Sequence, residues 1–86
     1  MTTTRETIAT TLRKYLRHEM TLDALVDWAE TAMLEGDFEP THYDVIRDAI
    51  ARLGLADVRA FGLTWEDCKQ ILHTLGFTTR VEIVAA

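Results

Sequence analysis

The chain has 86 residues, enough for one domain and one core, and at this length folding buries roughly 60–65% of the unfolded chain's surface. Apolar residues make up 48% and charged residues 27%, an ordinary globular balance that excludes the apolar-poor signature of a disordered chain. The net charge of −5 argues against a protein built to track nucleic-acid phosphates.

That charge is unevenly laid out. Through His18 the bases Arg5, Arg13, Lys14 and Arg17 meet a single acid, Glu6. From Glu19 to Glu39 the acids Glu19, Asp23, Asp27, Glu30, Glu35, Asp37 and Glu39 occur with no lysine or arginine. The layout suits two neighbouring helices whose charges attract, or a basic and an acidic face for two partners.

Thr3 or Thr4 opens the first predicted helix, because Thr3-Thr4-Arg5-Glu6 fits a capping pattern in which a hydroxyl and a carboxylate three residues apart each satisfy a free amide. Ile8, Leu12, Tyr15 and Leu16 share one face of it, with Arg13, Lys14 and Arg17 opposite. Thr21 opens the second helix, whose stripe is Leu22, Leu25, Val26, Ala29 and Met33, with Trp28 and Ala32 at its margin. Gly36 ends it, since glycine takes the left-handed conformation without a steric penalty. Asp23, Asp27 and Glu30 collect on the outward face of this helix.

Asp37-Phe38-Glu39-Pro40 reads as a short connection. Thr41, with Asp44 three residues later, is placed to cap a third helix whose buried stripe is Tyr43, Ile46, Ala49, Ile50 and Leu53, ending at Gly54. Residues 56–62 fit a helical turn, a short strand or a loop, because so few residues carry no period. Thr64 then opens a fourth helix, with Trp65, Cys68, Ile71, Leu72 and Leu75 on one face and Gly76 closing it.

The final stretch alternates with a period of two. Phe77, Thr79, Val81 and Ile83 point one way, and Thr78, Arg80, Glu82 and Val84 the other, which predicts a strand over about 78–84. A strand needs a ladder for its backbone groups. Residues 58–61 are the internal segment able to provide one; a second copy and the edge of a foreign sheet are the external ones, and a frayed terminus is the remaining reading. If two copies pair antiparallel about Val81, Arg80 lies opposite Glu82 and Thr79 opposite Ile83, whereas parallel pairing sets Arg80 against Arg80. The expected fold is therefore mainly α, a compact four-helix domain spanning 1–86 with a short C-terminal strand that pairs with 58–61 or across a dimer.

Chemistry-bearing constellations are sparse. His18, His42 and His73 are isolated, Cys68 is the only cysteine, and Cys68 and His73 are five apart, about 140° around a helix, so no zinc site is expected. A calcium loop counted from Asp37 puts His42 where the glycine belongs and Asp48 in place of the bidentate glutamate. No serine occurs, and no glycine-rich turn cradles phosphate. The fourth helix exposes Glu66, Asp67, Lys69, Gln70 and His73, led by acids, which is a poor reading helix for a helix-turn-helix regulator. No segment has the length of a membrane span or the apolar core of a secretory signal, so a cytoplasmic setting is expected.

The functional expectation is a small non-enzymatic protein-binding or regulatory domain with no catalytic residue, metal or cofactor. Its interface is placed at Phe77, Thr79, Arg80, Val81, Glu82 and Ile83, with Asp23, Asp27 and Glu30 as a second, acidic face. The partner is another protein or a second copy in a homodimer. A nucleic-acid-binding regulator of helix-turn-helix type and a small enzyme or enzyme subunit are the competing readings.

Overall fold

A computed structural model describes residues 2–58 and 62–79. Among them are four α-helices: α1 (Arg5–Leu16), α2 (Leu22–Glu35), α3 (Tyr43–Gly54) and α4 (Trp65–Thr74). A single 3-10 turn, Pro40–His42, leads into α3. The most extensive helix contact is between α2 and α3, and α1 touches all three other helices. The core is Ile8 and Leu12 of α1, Leu25 and Ala29 of α2, Ile46, Ile50 and Leu53 of α3, and Cys68, Leu72 and Leu75 at α4.

The helix punctuation follows from side-chain chemistry. Thr4, not Thr3, caps α1: its hydroxyl accepts from the Thr7 amide at 3.1 Å, and the Thr4 amide donates back to the Thr7 hydroxyl at 3.4 Å. The box therefore runs Thr4 to Thr7, and Glu6 takes no part in it. Thr21 caps α2 through the Ala24 amide, and Gly36 ends it in the left-handed region at φ 64°. At α4, Thr64 accepts from the Asp67 amide at 3.1 Å while the Asp67 carboxylate accepts from the Thr64 amide at 2.9 Å. Thr41 caps nothing, because Pro40 starts a 3-10 turn that absorbs Thr41 and delays α3 to Tyr43.

Thr3 has a different task. Its amide donates to the Asp37 carbonyl at 2.7 Å and its carbonyl accepts from the Glu39 amide at 3.0 Å, so the N-terminal segment forms a parallel bridge with the α2–α3 connection. This bridge places Phe38 in the core, 6% exposed, with its ring edge-on to Tyr43 at 5.5 Å between centroids. An acidic connection with a loop composition thus contributes a core aromatic.

Other stripe residues move outward. Ala32 is buried while Met33, expected in the stripe of α2, is 38% exposed; Tyr43 and Trp65 are similarly exposed rather than filling the interior. α1 closes with a reciprocal pair of backbone bonds, Glu19 amide to Lys14 carbonyl and His18 amide to Tyr15 carbonyl. The motif requires a left-handed residue, and His18 occupies it at φ 62°.

The predicted strand over 78–84 lies outside the described residues from Arg80 onward, and no strand forms among the described ones. Residues 59–61 of its proposed internal partner also lie outside them. Val58 is described and sits in a turn, its amide donating to the Leu55 carbonyl and its carbonyl accepting from the Gly62 amide.

Candidate functional site

Phe77 and Thr79 are the described members of the interface read from the tail; Arg80, Val81, Glu82 and Ile83 lie outside the described residues. The start of that segment is held firmly. α4 ends with the Gly76 amide donating to the His73 carbonyl and the Phe77 amide to the Leu72 carbonyl at 2.9 Å, with Gly76 in the left-handed region at φ 96°. Arg5 reaches across from α1: its Nη1 donates to the Leu75 carbonyl at 3.1 Å, and its guanidinium lies 5.7 Å from the Phe77 ring centre. A side chain at Gly76 would press on this same guanidinium, a Cβ there falling 3.0 Å from Nη1.

These contacts set residues 77–79 along a groove between α1 and α4 with a volume of about 370 Å³. Ala9, Leu16, Leu72 and Phe77 supply its apolar surface, Trp65 also lines it, and the exposed Arg13 and Arg17 stand on its rim. No acid lines it. Arg13 and Arg17 are both exposed, and neither has an ion-pair partner among the described residues. Trp65 is 39% exposed and also borders a second groove with Tyr15, Leu16, Met20 and Leu63. Tryptophan and arginine beside an apolar floor are the residue types that dominate protein-binding surfaces, because each covers much area from a stiff or preorganised group.

The helical period puts Trp65 on the interior face of the fourth helix, and Arg13 and Arg17 read from the sequence either as charges attracting the second helix or as a basic face for a partner. The signal for Trp65 was present: with Thr64 as the cap, Trp65 is the first helical residue, at the edge of the packed region. No sequence signal brought Arg13 and Arg17 to the rim, since that depends on where α4 packs.

Asp23, Asp27 and Glu30 are all exposed on α2, and none has an ion-pair partner among the described residues. The spacing 23, 27, 30, 34 continues this stripe to Leu34, which is 88% exposed. A bare leucine in line with three carboxylates was not singled out from the sequence.

Among the described residues no group of three or more histidine, cysteine, aspartate or glutamate side chains is placed to hold a metal ion. Cys68 is fully buried, and that burial, with Asp67 beside it, pushes the thiol up to about 11, so it carries no thiolate at neutral pH. Asp67 is held below the ordinary carboxylate value by the hydrogen bonds from Thr64, first the backbone amide and then the hydroxyl, with Arg52 at 3.2 Å adding to them. This is cap and ion-pair chemistry that ties α3 to α4. His73 is on the surface, as expected.

No helix among the described residues is long and apolar enough to cross a membrane. The chain matches no known family model, no curated protein and no solved structure.

Proposed function

We propose that this chain is a small non-enzymatic protein-binding or regulatory domain, working in a reducing, cytoplasmic setting through the C-terminal segment that starts at Phe77. The observation that supports the reading is the anchoring of Phe77 by the α4 terminus and by Arg5, beside an open groove rimmed with Arg13, Arg17 and Trp65. Segment and groove form one continuous surface. In this reading residues 80–84, whose sequence alternates with a period of two, pair with a partner strand, the second copy in antiparallel register being the leading partner.

Truncation is the test, and the structure selects its position. A chain ending at Gly76 removes Phe77, which packs on the core, so the informative variant ends at Thr79. Affinity capture and sedimentation equilibrium are run on the full and truncated chains. Loss of partner or of self-association with unchanged thermal stability supports the proposal. Identical behaviour of the two chains refutes a role for the tail.

A further inference from the structure

We infer that the groove between α1 and α4 receives the α2 face of a second copy of this chain, with Leu34 seated on the apolar floor and Asp27 and Glu30 opposite Arg17 and Arg13. The inference rests on the protein-binding reading but concerns a different surface from the tail.

Three features converge on this occupant. The groove takes its apolar surface from Ala9, Leu16, Leu72 and Phe77, and among the described residues its two guanidiniums have no ion-pair partner and no acid lines it, so it favours an apolar side chain flanked by carboxylates. The chain itself carries such an element: Asp23, Asp27, Glu30 and Leu34 on one exposed stripe, its acids again without ion-pair partners among the described residues, ending in the most exposed of the described large hydrophobic side chains. The dimensions also agree. Ala9 to Arg17 spans about 12 Å of α1 and Asp27 to Leu34 about 10.5 Å of α2. Arg13 and Arg17 are one turn apart, as are Glu30 and Leu34, and Asp27 and Glu30 differ by three residues, so two carboxylates and two guanidiniums meet in one register.

Groove and stripe are different patches, so the contact is heterologous: each copy offers a groove to one neighbour and a stripe to another. Small contact area makes it weak, with a dissociation constant on the order of 10–100 μM. Leu34 is the anchor, and its replacement weakens association by about tenfold or more.

Sedimentation velocity over a concentration series tests this with Leu34→Lys, which keeps the groove, and the double variant Arg13→Glu/Arg17→Glu, which keeps the stripe. All three sites are solvent-facing, and circular dichroism checks that helix content is retained; Leu34→Ala with Arg17→Ala is the milder pair if it is not. The wild-type mass should rise with concentration, each variant alone should associate no further than any dimer that truncation at Thr79 abolishes, and an equimolar mixture should form a 1:1 complex that survives that truncation. Both variants remain net acidic, so nonspecific attraction does not produce that rescue. A wild type that stays monomeric up to about 1 mM, a mixture that does not associate, or arginine substitutions that abolish binding to duplex DNA while leaving self-association intact would overturn the inference. Association that survives both variants but vanishes on truncation at Thr79 overturns it and leaves the tail reading standing; the reverse pattern does the opposite.

Discussion

Replacing Phe38 by alanine empties the site that joins the N-terminal segment to the α2–α3 connection. The side chain is 6% exposed, so nearly all of its apolar area returns to water or leaves a cavity. Buried Phe→Ala changes cost about 3–5 kcal/mol, and an edge-on aromatic pair such as that with Tyr43 contributes about 0.5–1.5 kcal/mol of its own. Because Phe38 lies on a connection that can settle toward the gap, the lower end applies, about 3 kcal/mol. For a chain of this length total stability is about 4–13 kcal/mol, so the loss is a large fraction of it. With a urea dependence of about 1 kcal/mol per molar, the unfolding midpoint falls by about 3 M. The paired control is Leu34→Ala, which alters an 88% exposed side chain and should change stability by less than about 0.5 kcal/mol. Both are measured by circular dichroism in urea at low micromolar protein, where self-association adds nothing. A cost below about 1 kcal/mol for Phe38→Ala, or a larger cost for Leu34→Ala, would show that the connection does not close the core.

Two further outcomes follow from local geometry. His18 holds a left-handed conformation at φ 62°, which costs a side-chain-bearing residue about 1–2 kcal/mol relative to glycine, partly offset by the greater freedom glycine has when unfolded. His18→Gly should therefore raise stability by about 0.5–1 kcal/mol in urea titration, and destabilisation would refute the strain. The carboxyl of Asp67 is held below its ordinary value of 3.8, so its contribution to stability is complete above that pH and is lost as the pH falls through the depressed value. Asp67→Asn should flatten the acid limb of the stability curve below pH 3.8 while leaving its shape near neutrality; an unchanged acid limb would count against the cap.

What the sequence by itself determined is the number of helices and most of their ends. Thr21, Thr64, Gly36 and Gly76 act through bonds to residues within one or two turns, and such local chemistry is legible without knowing the fold. The period of apolar residues likewise identified Leu12, Leu25, Ile46, Ile50, Leu53 and Leu72 as core, and the acidic face of α2 as solvent-facing. Tertiary structure decided what depends on partners far away in the chain. Phe38 is buried because Thr3, 35 residues distant, pairs with the backbone on either side of it. Trp65 and Met33 stay more than a third exposed, which depends on how the helices pack around them and which a helical period cannot register. Arg13 and Arg17 become the rim of a groove only once α4 packs against α1 and Arg5 fixes Phe77 beside them. Local rules name the elements; the candidate working surface arises where those elements fail to cover one another.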